Sequence, residues 1–409
     1  MRLGGVLAPP YDVIDDAGRD ALYGRDLRNI VRIDDGAAYD NDVAGRNDRY
    51  TRAATFLTSW LELGVLVLDP DAAVYVHDHE FVLPSGEPRH RRGVLAIVPA
   101  EPWERSQLRP HERTLRAPKE DRLALMRTVR AQTSPVFAVW NGVEGMAELL
   151  QAVTSAPAIL GGRTDGELGS EKHLLWRADG AAGVRLAEAL AGASLYVADG
   201  HHRYETAVAY QAERASAEPD AAVDAPFRWC LVYLADAGDA GLTILPTHRL
   251  VRPAEGVAYS LDDLWARLDD TWEVEATANF PAALERGAEL RAAEHAFAVV
   301  AGDGVAVVHC PRAATGSPRS RLDSAVLESE ILIPAGVTRE SIAAGGLAYT
   351  RDGAEPPAAV NRGEAVLGFG VQPVTIAEVI AVADAGETMP QKSTYFYPKV
   401  PTGLVIHPL

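Results

Sequence analysis

The sequence predicts a mixed α+β protein of two or three domains, and three observations carry that expectation. The chain has 409 residues, of which 47% are hydrophobic and 23% charged, a globular mix large enough to bury a sizeable core. Strand-length apolar runs alternate with segments of helical period throughout. That alternation lacks the even βα repetition of a barrel, and no solenoid or propeller period appears.

Over residues 48–63, Ala53, Phe56, Leu57, Trp60 and Leu63 recur at helical spacing, and Gly64 stands where a C-terminal cap belongs. Residues 73–83 and 92–98 read as strands flanking Pro84-Ser-Gly-Glu-Pro88, a hairpin turn. Residues 119–130 form a second helix with Leu123, Met126 and Val129 on one face. Residues 154–180, rich in glycine and charge, read as a connecting excursion before a helix at 183–191.

Residues 195–198 then read as a buried strand, 199–202 as a turn and 203–214 as a helix. A strand at 229–235 comes next, then a hairpin whose arms, 296–300 and 305–309, flank Gly302-Asp-Gly304, and a helix at 375–385. Motif spacing divides the chain into spans 1–150, 151–255 and 256–409, with one compact unit as the alternative.

Charge and composition exclude several classes. Asp plus Glu is 57 against 39 Lys plus Arg, a net charge of −18 that suits neither a phosphate backbone nor a general nucleic-acid partner. No apolar run approaches the roughly 18 to 20 residues of a membrane span, and the N-terminus lacks a signal-peptide core, so no membrane partner and a cytoplasmic location are expected. Cys230 and Cys310 are too few for a disulfide framework or a thiolate zinc site and read as core residues.

Chemistry concentrates in three clusters. ADGHHRYETA, residues 198–207, sets Asp199, Gly200, His201, His202 and Arg203 between an apolar strand and an amphipathic helix. Gly200 permits close backbone approach, the helix start offers N–H groups, and Arg203 is a fork for phosphate oxygens. Asp199 could hold magnesium or take a proton; its structural alternative is a helix cap, with the histidines bonded to local carbonyls.

The second cluster, RPHERT, spans residues 109–114: His111 and Arg113 suit phosphate, Glu112 a metal or base role, and a solvated charge run is the alternative. The third, MPQKSTYFYPK at 389–399, offers Lys392, Ser393 and Thr394 as hydrogen-bond donors to phosphate ahead of a terminal strand, without the glycines of a P-loop; a surface loop before a buried strand is the alternative. Near the start, APPYDVI places Tyr11 and Asp12 after rigid Pro9-Pro10, with Asn29 and Arg32 downstream as further candidates for substrate contact or a structural turn.

Thr247-His248-Arg249 reads as a strand end in preference to a ligand contact. His77, His79 and Glu80 sit in a strand-like run whose alternation puts the two histidines on one face, but no third ligand is identifiable from sequence, so they are expected to face solvent. His309 beside Cys310 reads as a strand end as well.

APPYDVI, RPHERT with KEDRLALMR, SPVFAVW, YVADGHHRYETA, LTILPTHRLV and MPQKSTYFYPK occur in one order, and together they resemble the family called domain of unknown function 1015 over nearly the whole chain. One departure stands at the start: relatives usually carry a further stretch ahead of the APPYDVI-like segment, whereas seven residues precede Ala8 here, as a missing first strand or a misplaced start codon would produce. The resemblance implies a ParB/sulfiredoxin-like core with added α/β elements. It also implies kinase activity on free serine with pyrophosphate as donor, since some relatives are assigned that role, and it points to Asp199, Gly200, His201, His202 and Arg203 as the phosphate cradle.

Phosphoryl transfer needs cations around the moving oxygens, usually with Mg²⁺, and a group to orient the hydroxyl. The expectation is therefore a small-molecule phosphotransferase making O-phosphoserine from serine, with pyrophosphate or a nucleotide as donor. His201, His202, Arg203, His111, Arg113 and Lys392 would bind phosphate in a locally positive cleft; Asp199 or Glu112 would bind magnesium or act as base. The alternatives are a ParB-like nucleotide-binding switch and a metal-dependent phosphoester hydrolase.

Overall fold

The computed structural model describes residues 3–112 and 116–409, and it is mixed α+β, as the alternation of periods predicts. Two compact units divide it: one holds residues 1–243 together with 398–409, the other Ile244–Tyr397. The motif-based spans cut the chain by sequence alone; here the last twelve residues return to the first unit.

An eight-stranded sheet organises the first unit. Its order is Leu108–Arg109, Leu195–Asp199, Val136–Trp140, Trp229–Asp236, Pro88–Pro99, Val74–Val82, Gly169–Ala178 and Leu160–Gly166. Two pairings are parallel, Leu108–Arg109 with Leu195–Asp199 and Val136–Trp140 with Trp229–Asp236; the rest are antiparallel. The central strands are apolar on both faces: all five residues of Val136–Trp140 are buried, Val136, Ala138 and Trp140 in a cluster with Leu186, Leu190 and Tyr204, and Phe137 against Tyr233 and Arg91.

Residues 154–180, expected to be a connector, instead supply the hairpin Leu160–Gly166 and Gly169–Ala178 that completes this sheet. The reason is positional. Leu160–Gly166 is an edge strand whose side chains are alternately exposed, so its charged and glycine residues carry no apolar period.

Helices form where caps and periods agree. Arg49–Glu62 starts at Asp48, whose carboxylate accepts from the Tyr50 and Thr51 amides in a capping box. It buries Ala53 and Trp60 in a cluster with Ile30, Val31, Ile33, Leu125 and Val129. Arg116–Val129, Gly180–Ala191 and His201–Ala217 complete the main helices of this unit. Both cysteines are buried and free.

The second unit is built on a six-stranded antiparallel sheet, ordered Glu273–Ala276, Gly304–Pro311, Glu294–Ala301, Leu367–Gly370, His248–Val251 and Leu347–Thr350. Phe280–Leu290, started by Asn279 and Pro281, packs Phe280 and Ala283 on Ala296, Ala298 and Val300. His309 lies within a strand rather than at its end and is buried with Glu294 bonded to its Nδ1. Among the described residues no helix is long and apolar enough to cross a membrane.

Candidate active site

The site grows from the end of one buried strand. Leu195–Asp199 carries its apolar residues into the core and ends on Asp199. Gly200 follows at φ +92, a left-handed conformation, and turns the chain into the 17-residue helix His201–Ala217. A Cβ at Gly200 would stand 2.9 Å from the Arg203 guanidinium carbon, so glycine is required by conformation and by space. No side chain caps this helix, and its first N–H groups and positive dipole end face the turn.

Both oxygens of Asp199 are engaged. Lys399 Nζ donates to Oδ1 at 2.8 Å and Arg203 Nη2 to Oδ2 at 2.6 Å. Burial alone would raise this carboxyl, but the two cations outweigh it and hold it well below the usual carboxylate range. Arg203 also donates to Ser134 Oγ at 2.9 Å and to the Pro135 carbonyl. A carboxylate clasped by two cations does not fit a magnesium ligand, so no step is assigned to an ion at Asp199.

Parallel pairing of Arg109 with Tyr196 brings the second cluster alongside. The buried His111 backbone N–H donates to His201 Nε2 at 3.2 Å, and the two rings meet edge to face at 4.7 Å. Burial pushes His111 down to about 4 and His201 well below the ordinary imidazole range. At neutral pH these rings therefore act as hydrogen-bonding groups, not as the cations expected from sequence. His202 and Glu112 are partly buried beside them, whereas Arg113 and Thr114 lie outside the described residues.

A small cavity of about 40 Å³ adjoins the turn, lined in part by Tyr11, Asp34, Arg122, Ser134 and Arg203. Tyr11 lies under the Arg122 guanidinium, 4.2 Å from ring centroid to carbon, and burial pushes its hydroxyl up to about 12. Asp34 accepts from Thr133 Oγ1 at 2.6 Å through Oδ1, while its buried Oδ2 has no hydrogen-bond partner among the described residues. Arg122 is anchored by bonds to Asp121 Oδ2 at 2.8 and 2.6 Å and to the Asp34 carbonyl at 2.5 Å.

Chain ends close the wall: Thr402 exchanges backbone bonds with Ala8 and donates to Ser134 Oγ at 3.1 Å. Arg122, Arg203 and Lys399 are thus matched by Asp34, Asp121 and Asp199. The positive cleft expected from sequence is instead a balanced ion network at a helix N-terminus.

The remaining predicted residues fall elsewhere. Asp12 is exposed next to Tyr11. Arg32 stacks 4.1 Å over the Tyr23 ring and donates to the Tyr23 carbonyl at 2.8 Å. Asn29 is buried, its amide donating to the Gly5 and Leu7 carbonyls. Lys392, Ser393 and Thr394 belong to the second unit, where Ser393 Oγ bonds the Pro390 carbonyl at 2.7 Å and Ser324 Oγ at 2.9 Å. Sequence reading missed Lys399, Asp34, Arg122 and Ser134. Lys399 closes the motif that contains Lys392, and that is the signal by which it could have been found.

A second polar cluster overturns a sequence expectation. His77 and His79 do not face solvent: both are 0% exposed. Strand pairing sets His79 opposite His173, and Glu171 shares their face, so further ligand-type residues do exist. Burial holds His77 and His79 well below the ordinary imidazole range and His173 at about 4, and it raises Glu171 to about 7.

Fold and site together define a mixed α+β protein with an uncapped helix N-terminus opening on a buried ion network. A family model described as protein of unknown function (DUF1015) matches residues 2–325, and the chain belongs to that family. No curated protein matches significantly. Among solved structures, a conserved hypothetical protein from Pyrococcus furiosus aligns at 15% identity and TM-score 0.37, covering 75% of this chain and 93% of its own. A free serine kinase in complex with AMP aligns at 14% identity and TM-score 0.38, covering 76% and 92%. SbnI with C-terminal truncation from Staphylococcus aureus aligns at 13% and 0.36, covering 76% and 87%. Likenesses this distant assign neither substrate nor chemistry to the site.

Proposed function

We propose that this protein is a small-molecule phosphotransferase that phosphorylates the hydroxyl of free serine, with pyrophosphate or a nucleotide as donor. The observation that supports it best is the uncapped N-terminus of His201–Ala217, opened by Gly200 and flanked by Arg203 and Lys399. Backbone N–H groups at a helix start suit a transferring phosphoryl group, whose charge needs stabilisation more than covalent help, and Arg203 and Lys399, both ion-paired with Asp199, stand beside them.

The acceptor side is supported by the cavity next to Arg203. The buried Asp34 Oδ2 has no hydrogen-bond partner among the described residues and is suited to take a hydroxyl proton as it attacks. Asp34 takes this role in preference to Asp199, whose two oxygens are held by cations. Tyr11 and Ser134 would orient the acceptor. Magnesium enters this reading only with the donor, as the counter-ion of its phosphates.

Purified protein incubated with serine, magnesium and, separately, pyrophosphate, ATP or ADP tests the reading, with O-phosphoserine detected by mass spectrometry. Product that disappears in Arg203→Ala supports it and names the donor. No product with any donor overturns it, and nucleotide binding without turnover would then favour the switch reading.

A further inference from the structure

The sheet of the first unit carries a polar cluster that the phosphotransfer reading does not use. His77 and His79 alternate on Val74–Val82, and Glu171 and His173 on Gly169–Ala178, so the four side chains share one buried face. His79 Nε2 lies 2.8 Å from Glu171 Oε2, and His173 Nε2 lies 3.9 Å from the same oxygen. All three ligand atoms fall within 4.8 Å of one another.

We propose that His79, Glu171 and His173 form a binding site for one divalent transition-metal ion of the zinc class. Two imidazoles and a carboxylate are a recurrent zinc donor set that leaves one position open. Ligands about 2.1 Å from a tetrahedral zinc stand about 3.4 Å apart, and the separations of 2.8 and 3.9 Å bracket that value. Small side-chain rotations close the set.

The surroundings orient the ligands. His77 Nε2 stands 3.1 Å from His173 Nδ1, and the rings lie nearly parallel at 5.3 Å. A proton on His173 Nδ1 shared with His77 leaves the Nε2 lone pair turned to Glu171, the arrangement by which a second residue fixes a ligating imidazole. Thr164 Oγ1, 2.8 Å from His173 Nε2, holds that lone pair until an ion takes it. His77 and His79 each bury an Nδ1 without a hydrogen-bond partner among the described residues, so the second-residue support falls on His173 alone.

Charge sets the affinity. Arg91, opposite His79 in the pairing, is fully buried but bonded to the Pro398 carbonyl at 2.9 Å and stacked 4.8 Å over Phe137. It disfavours a cation nearby, and Glu171, which gives up its proton when it ligates the ion, offsets it. One such ligand group among the described residues sets the expectation of a single ion per chain.

The test uses the full chain, dialysed against a chelator and titrated with Co²⁺. One equivalent should produce the visible absorption of a four-coordinate ion, bleached by one equivalent of Zn²⁺. Glu171→Gln and His173→Gln should abolish it, His77→Gln should weaken affinity about 10- to 100-fold, and His309→Gln, in the second unit, should leave it intact. Absence of stoichiometric binding in the unaltered protein overturns the proposal. If the two ligand variants fail to fold, X-ray absorption of the zinc-loaded unaltered protein decides: two imidazoles with oxygen support the site, and one imidazole or none refutes it.

Discussion

Lys399 and Asp199, 200 residues apart in the chain, meet at 2.8 Å beneath the glycine turn that opens the helix His201–Ala217. The pair ties the last segment of the chain to the strand end on which the candidate active site is built. With only 11% and 16% of their side chains exposed, the two charges are neutralised inside the protein, Asp199 by Lys399 and Arg203 together.

Removing one partner is therefore costly. Lys399→Met leaves Asp199 with Arg203 alone and should destabilise the first unit by about 3 kcal/mol, the lower end for a broken buried pair. The double change Asp199→Asn with Lys399→Met should recover part of that loss. Urea midpoints of the three variants, followed by circular dichroism, measure it; equal midpoints for Lys399→Met and the unaltered protein would contradict the pairing.

Gly200→Ala combines strain with a clash. At φ +92 an alanine costs about 1 to 2 kcal/mol, and its Cβ displaces a guanidinium held by Ser134 and Asp199. Isothermal titration with pyrophosphate should register at least a tenfold loss of affinity while far-ultraviolet dichroism stays unchanged.

Asp34→Asn separates the acceptor's proton from donor binding. Oδ1 keeps Thr133 as its donor, so the fold should persist, while serine phosphorylation falls about 10²- to 10⁴-fold in kcat, the range for loss of a general base. KM for the donor should change little. A large rise in donor KM with kcat preserved would assign Asp34 to phosphate binding instead.

Acid should unfold the first unit early. His111 and His201 are buried and neutral, with His111 lowered from 6.5 to about 4, so the unfolded chain binds protons that the native state refuses. Stability is thus present above 6.5 and falls as pH drops towards about 4, by roughly 1.4 kcal/mol per unit for each fully titrating histidine. His173, lowered to about 4, acts in the same direction; Glu171, raised to about 7, opposes it by one proton, losing its contribution as pH rises from 4.5 to about 7. Melting temperatures from pH 7.5 to 4.5 should fall, and His111→Gln should flatten the slope.

Much of the architecture is legible along the chain. The period over residues 48–63, the hairpin turn at 84–88 and the strand–glycine–helix sense of ADGHHRYETA all appear as elements of that type, because local propensity and capping decide them. The connector expected over 154–180 failed because an edge strand needs no apolar alternation when a neighbour supplies its hydrogen bonds.

By itself, then, the sequence determined the mixed α+β class, the family and the segments where phosphate chemistry could sit. Only the tertiary structure decided that Asp199 is clasped by Lys399 and Arg203, that the buried Asp34 Oδ2 has no hydrogen-bond partner among the described residues, and that His77 and His79 are buried against Glu171 and His173. The reason is physical: a histidine in an alternating strand has the same local pattern whether its face meets water or protein. That outcome is set by the strands and helices that cover it from distant parts of the chain.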